Sequence, residues 1–172
     1  SRTFARVGPN IAYVARSADH KQLFVLSVGD QPREVGKSER PSLSVISRDG
    51  ERVVTRRFDM EAAHRSIAVD PSGRYLALFD GAAQSVSSDD ANSIRSQTSF
   101  VTNPNEIVIV DLKEADPAKA VVPRTVRSFG GSPTRIHFTE PLELQTGPHR
   151  LLVAEGSSEI TLLDLEHIHD QK

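Results

Sequence analysis

The sequence repeats one ordered set of short β-like segments, and this repetition constrains the fold more than any single motif does. Each segment is rich in aliphatic and β-branched residues and is bounded by turn-forming residues. The copy that is easiest to recognise has segments at 66–70, 74–80, 106–111 and 124–129. An earlier copy has segments at 10–16, 22–28, 42–47 and 51–58. A later and shorter copy has segments at 134–138, 150–155 and 159–164.

The copies also agree in their turns and junctions. The third segment ends in Asp111-Leu112 in one copy and in Asp164-Leu165 in the next. The earliest copy joins its third and fourth segments through Asp49-Gly50, a pair that favours a tight hairpin turn. Helical signals are scarce: only residues 59–65 suggest a turn of helix, with Asp59 as its N-cap. The pattern therefore predicts an all-β fold.

The apolar pattern within the segments indicates how the sheets pack. Residues 107–110 and 151–154 are continuously apolar, whereas a strand with one wet face alternates between apolar and polar. Blades that pack on both faces around an axis explain such runs. We therefore predict a β-propeller, specifically a partial ring of four-stranded antiparallel blades. The alternative is a β-sandwich, which would not produce an ordered four-part repeat.

The repeat divides the chain into candidate blades. Residues 1–9 are predicted to end a preceding blade, and residues 10–65 to form a blade with an insertion at 29–41. Residues 66–133 form a second blade with a Ser-rich insertion at 81–105, and residues 134–172 form three strands of another blade and a tail. Because propellers typically have about 4–8 blades, this number of blades cannot close a ring. We expect further sequence or a second chain to complete it.

Two stretches carry a family resemblance. The junction Gly130-Gly131-Ser132-Pro133 followed by LLVAEGSSEITLLDL at 151–165, and SIAVDPSGRYLALFDG at 66–81 followed by NEIVIVDL, resemble the YVTN-type, YncE-like repeats of bacterial propellers. The YVTN tetrapeptide itself is missing, and the long insertions depart from the family pattern. The resemblance implies a WD40-like architecture and a periplasmic or cell-surface location in a bacterium.

Composition excludes several classes of function. A net charge of -2 offers no electrostatic basis for binding nucleic acid, and strand alternation would place Arg56 and Arg57 on opposite faces. The longest purely aliphatic run, at 107–110, is too short to span a membrane. Without cysteine, the chain has no disulfide, no thiolate metal site and no cysteine nucleophile.

The loops that join fourth to first and second to third strands lie on one face of a propeller, where binding sites commonly occur. Asn10, His64, Arg65 and Ser132 fall in or beside these loops and are our candidate ligand- or partner-binding residues. His64 is the most versatile, as a titrating group or a ligand, and an exposed loop histidine is the alternative interpretation. We predict no catalytic residue.

Three sets of residues have metal-ligand chemistry. Asp80, Asp89 and Asp90 lack the spacing of a calcium loop. His167 and His169 would share a face of a strand, yet a short tail offers them no supporting shell, so a solvated terminus is expected. His137 is expected to face away from Ile136 and to serve packing or line an axial channel. We predict no metal and no cofactor.

These observations predict a non-catalytic propeller module that binds protein partners or scaffolds an assembly. One alternative is part of a propeller enzyme, lactonase-like or quinoprotein-like, whose site is shared with missing blades. Another is a structural subunit of a larger assembly whose insertions act as clamps. The partners expected are a protein or the remaining blades, with neither nucleic acid nor a membrane span.

Overall fold

The structure is a computed structural model, and it describes residues 3–30, 39–80, 105–126, 133–156 and 158–170. Across these ranges the chain is all-β, with antiparallel strands in two four-stranded sheets, one three-stranded sheet and a separate hairpin. The predicted all-β class is confirmed. Among the described residues, no helix is long and apolar enough to span a membrane.

The first sheet follows the predicted order of strands, β1-β2-β3-β4. Its hairpin between β3 and β4 turns at Gly50, whose φ of 60° lies in the left-handed region that favours glycine. The bounds are β1 Ile11–Arg16, β2 Gln22–Ser27, β3 Ser42–Asp49 and β4 Arg52–Asp59.

The second sheet has the order β5-β6-β7-β8, and its last strand differs from the prediction. The predicted strand at 124–129 begins earlier, because a short helix, α1 (Pro117–Ala120), capped by Asp116, leads directly into it. Pro123 is tolerated because β8 is the edge of its sheet. Residues 127–129 lie outside the described residues. The bounds are β5 Ser66–Val69, β6 Tyr75–Phe79, β7 Glu106–Asp111 and β8 Val121–Thr125.

The third sheet has three strands in the described residues, in the order β13-β12-β9. A hairpin that the sequence did not predict, formed by β10 and β11, lies between β9 and β12 along the chain. The bounds are β9 Arg135–Phe138, β10 Leu142–Leu144, β11 Gly147–His149, β12 Leu151–Glu155 and β13 Ile160–Asp164. A 3-10 turn, Leu165–His167, follows β13.

The predicted turn of helix at 59–65 is wrong. Asp59 pairs with Ser42 as the last residue of β4, and the Met60 amide donates to the carbonyl of Pro41. Long-range pairing with β3 therefore satisfies the backbone that a helix would have satisfied locally.

Two apolar clusters lie between the three larger sheets. One joins Phe24 and Leu43 of the first sheet to Leu76 of the second, and the other joins Ala77 of the second to Leu152 of the third. The second sheet is thus covered on both faces, which explains its continuously apolar β7. Strand β5 contacts both β1 and β9, so the first strands of the sheets lie side by side. The sheets are therefore stacked as propeller-like blades.

The N-terminal segment, residues 3–9, has no regular structure; residues 3–6 are exposed, and Gly8 is buried against the first sheet. The Ser27 hydroxyl donates to the Gly8 carbonyl at 2.9 Å, and a Cβ at Gly8 would lie 2.4 Å from Ser42 Oγ. Small residues on both sides permit this close approach. Whether the segment belongs to a preceding blade stays a prediction, as do the predicted blade boundaries.

Candidate functional site

The four predicted binding residues are in different situations. Asn10 has a φ of 56°, and its side-chain amide donates to the Gly29 carbonyl at 2.8 Å, which ties the start of β1 to the end of β2. Ser132 lies outside the described residues. Asn10 therefore has a structural contact, and its predicted role in binding stays a prediction.

His64 is fully buried, so the interpretation as an exposed loop histidine is wrong. Its Nε2 lies 3.5 Å from Glu106 Oε1, and neither ring nitrogen has a hydrogen-bond partner in the part of the chain that the structure describes. The loop after β4 folds inward between the first two sheets, which sequence patterning does not reveal. His64 can reach a ligand only from inside the fold.

Arg65 forms an ion pair with Asp80, at 2.9 Å between Nη1 and Oδ1. Both side chains are mostly buried, so Asp80 is neutralised locally and is not available as a free cation ligand. Asp89 and Asp90, the other candidates for that cation site, lie outside the described residues. The pair joins the two ends of the β5–β6 hairpin.

A cavity of about 470 Å³ lies between the first two sheets, near α1. Three carboxylates are in its lining, and Glu106 also approaches His64. Asp59 and Glu61 are already paired with Arg57 and Arg40, which offsets much of the negative charge of this cavity. The lining residues are Asp59, Met60, Glu61, Ala62, Glu106, Val108, Pro117, Ala118, Val121 and Pro123.

The outer faces of the first and third sheets carry exposed apolar side chains. Val14 and Leu23 are 55% and 47% exposed on the first sheet. Ile160 and Leu162 are 66% and 59% exposed on β13, the edge strand of the third sheet. Leu162 pairs with Val153 on the face opposite the buried Leu163. Ile160 and Leu162 lie two positions apart on one face of β13, and neighbouring exposed apolar side chains of this size are candidates for an interaction site.

A cluster of side chains with metal-ligand chemistry lies at the end of β13. The Asp164 Oδ2 atom is 2.8 Å from His149 Nδ1 and 2.9 Å from His167 Nδ1. The two imidazole rings stack with centroids 5.4 Å apart, and Thr146 Oγ1 lies 2.7 Å from His149 Nε2. Burial opposes ionisation of Asp164, but the hydrogen bonds from His167 and His149 outweigh it and lower the pKa of this carboxyl. The Asp164 carboxylate in turn raises the pKa of His167.

The cluster differs from the histidine pair that the sequence suggested. His167 ends the 3-10 turn and His169 lies 3.3 Å from Asp111 Oδ2, so the two histidines are not on a strand and do not share a face. Their side chains are 52% and 39% exposed. Sequence reasoning missed His149 because the hairpin that carries it was interpreted as an irregular connection. His137 does face away from Ile136, as predicted, and lies 3.4 Å from Glu155.

No protein-family model and no curated protein matches the sequence. A solved structure of hydrazine synthase from Kuenenia stuttgartiensis is similar over 90% of this chain, with 13% sequence identity and a TM-score of 0.45. This chain covers 45% of that chain's length. A likeness this distant carries no argument about fold or function.

Proposed function

We propose that this chain is a non-catalytic β-propeller module that acts as a protein-binding or assembly scaffold. The observation that supports it is the exposed apolar surface on the outer faces of the first and third sheets. The inner faces of the same sheets bury equivalent side chains against a neighbouring sheet. A further blade, from the same chain or another, is the occupant that this geometry fits.

The energetic argument rests on the size of the exposed side chains. Burying one Leu, Ile or Val side chain contributes roughly 1.5–3 kcal/mol. Val14, Leu23, Ile160 and Leu162 are each more than two-fifths exposed. Covering them with another blade therefore supplies a substantial driving force for ring completion.

The finer parts of the proposal rest on the sequence. The YVTN-type resemblance supports a bacterial, periplasmic or cell-surface setting and blades at 10–65, 66–133 and 134–172. Partner binding on the loop-bearing face would then involve Asn10 and Ser132, since His64 is fully buried and Arg65 is held by Asp80. The open ring is part of the same proposal.

A second candidate function is part of a propeller enzyme, lactonase-like or quinoprotein-like. The observation that favours it is the cavity between the first two sheets, where Glu106 lies beside the buried His64. The ring nitrogens of His64 have no hydrogen-bond partner among the described residues. A carboxylate next to a buried imidazole is an arrangement that enzymes use for proton transfer. A stoichiometric metal ion or cofactor on the axis of the assembled ring would favour this function over the scaffold.

The scaffold proposal predicts association through the third sheet. Native mass spectrometry of the purified protein should show the 18.8 kDa chain with a second copy or a second polypeptide. Leu162→Glu places a charge on the outer face and should weaken that association by at least about tenfold, or about 1.4 kcal/mol.

Leu144→Glu is the matched control, because Leu144 is similarly exposed but lies on the separate hairpin. It should leave the association unchanged. A compact monomer with strong hydrogen-exchange protection of the β1 and β13 amides would contradict the proposal, since unpaired terminal sheets should exchange readily.

A further inference from the structure

We infer that His149, Asp164 and His167 form a binding site for a zinc-type divalent cation at the end of the third sheet. This inference is independent of the scaffold proposal. It also departs from the sequence-based prediction that the chain has no metal site.

The geometry of the three donor atoms fits such an ion. Two imidazole Nδ1 atoms lie 2.8 Å and 2.9 Å from the same carboxylate oxygen, and all three atoms lie within 4.8 Å of one another. Ligand atoms around tetrahedral zinc are about 3.3 Å apart, for metal–ligand distances of about 2.0–2.2 Å. The two N–O separations need to open by about 0.5 Å to admit the ion, and the two imidazole nitrogens must lie about 3.3 Å apart.

The two carboxylate oxygens of Asp164 have different partners. Its Oδ1 accepts from the Glu166 amide at 3.0 Å and caps the 3-10 turn. This hydrogen bond leaves Oδ2 directed at the two imidazoles. Pairing of Asp164 with Leu151 fixes the backbone from which the carboxylate projects.

His149 is also positioned before any ion arrives. Its side chain is only 8% exposed, and its Nε2 lies against the Thr146 hydroxyl. In the ion-free cluster Nδ1–H donates to Asp164, and Nε2 accepts from the Thr146 hydroxyl. A bound ion replaces the Nδ1 proton, and Nε2–H then donates to Thr146 Oγ1. Partners of this kind fix the tautomer and orientation of histidine ligands in metal sites.

In the second sheet, Asp111 is in the position that Asp164 has in the third. Asp111 ends β7 as Asp164 ends β13, and its Oδ1 likewise accepts from an amide two residues on, that of Lys113. There, however, Oδ2 is contacted by Arg74 at 3.1 Å and by a single histidine, His169, at 3.3 Å, and a guanidinium cannot bind a metal. Capping the turn therefore does not require histidines. The third sheet differs because Arg150, in the position of Arg74, instead reaches Asp70.

The site is open on one side. His167 is 52% exposed, so water can complete the coordination after three protein ligands. His149 ends β11, whereas Asp164 and His167 flank the 3-10 turn after β13. A bound ion would therefore clip the β10–β11 hairpin to the edge of the third sheet.

The test is zinc binding by the full chain after treatment with a chelator, measured by titration calorimetry. The wild type should bind one zinc ion per chain. His149→Ala and His167→Ala should each weaken binding by more than about tenfold, since each removes a direct ligand. His169→Ala is the matched control and should bind as the wild type does, because His169 contacts Asp111 instead.

Thr146 provides a second test that leaves all three ligands intact. Thr146→Val should weaken zinc binding by about tenfold, and Thr146→Ser should restore it. Circular dichroism of each variant reports whether the fold is kept. Equal zinc affinity in the wild type and His167→Ala, whose altered side chain is half exposed, would overturn the inference. So would an equal loss of affinity in His169→Ala.

Discussion

At the scale of the residue, an aspartate at the end of a strand can make a different contact with each of its two carboxylate oxygens. Asp111 is almost fully buried, caps the turn after β7 and pairs with Arg74. Burial opposes its ionisation, but the hydrogen bonds from Arg74, from the Lys113 amide and from His169 outweigh it and lower the pKa of this carboxyl. The ionised form is therefore bound more favourably in the folded chain than in the unfolded one.

This lowered pKa predicts an acid dependence of stability. The contribution of Asp111 is present above its unfolded pKa of about 3.9 and is lost as the pH falls through the lower folded pKa. Asp111→Asn should lower the free energy of unfolding at pH 7 by about 2 kcal/mol, less than for a fully buried pair because Arg74 is 37% exposed.

Urea unfolding of the wild type and Asp111→Asn at neutral and acidic pH measures this difference. The difference in free energy of unfolding between the two proteins should become smaller below about pH 4, because a protonated Asp111 resembles the amide of asparagine. Asp170→Asn, at an exposed position, should change little at either pH. A gap that does not change with pH would mean that the carboxylate charge contributes nothing.

At the scale of the element, a similar arginine contact joins the first sheet to the second and the second sheet to the third. Arg56 on β4 donates to the carbonyl of Leu112, at 2.9 Å, and to that of Glu114, both after β7. Arg124 on β8 donates to the carbonyl of Ile168, after β13. The fourth strand of one sheet thus satisfies carbonyls that follow the third strand of its neighbour.

The N-terminal segment is the element whose packing is easiest to test. Gly8→Ala adds a Cβ that would lie 2.4 Å from Ser42 Oγ and 3.0 Å from Ser27 Cβ, so the Ser42 side chain must rotate or the segment must shift. Overpacking of this kind should lower the free energy of unfolding by about 1–3 kcal/mol in thermal unfolding. The double variant Gly8→Ala, Ser42→Ala should recover part of the lost stability. A Gly8→Ala protein as stable as the wild type would show that Gly8 does not pack against the first sheet.

At the scale of the whole molecule, polar contacts between sheets accompany the two apolar clusters. Arg150, before β12, donates to both carboxylate oxygens of Asp70 at 2.9 Å, across the boundary between the second and third sheets. The Tyr75 hydroxyl donates to the Leu165 carbonyl across the same boundary, and burial raises the pKa of Tyr75 to about 12. These contacts fix how the sheets stack.

Removing the Arg150 side of this contact should destabilise the stacked sheets. Arg150→Met leaves Asp70, whose side chain is 1% exposed, without its cationic partner, and should lower the free energy of unfolding in urea by about 3 kcal/mol. Arg40→Met breaks the ion pair between Arg40 and Glu61, whose side chains are 56% and 89% exposed. It should lower the free energy of unfolding by at most about 0.5 kcal/mol. Equal effects of the two substitutions would contradict the structural role of Arg150.

Most strands could be predicted from the sequence, because apolar runs and turn residues act over a few positions. The Asp49-Gly50 hairpin and β7 are examples, and β7 has the predicted bounds. The errors occur where local signals are weak: Asp59 and Met60 bond to Ser42 and Pro41 instead of starting a helix, and β8 begins after an unforeseen helix.

The sequence by itself determined the all-β class, the order of the strands and the apolar runs that allow sheets to stack, since strand period and turn chemistry are local properties. Only the tertiary structure decided that His64 is buried and that His149 meets Asp164 and His167. The reason is physical: burial and side-chain clusters depend on register and packing between segments far apart in the chain. His149 and Asp164 are 15 positions apart, yet the pairing of β12 with β13 brings them within 2.8 Å.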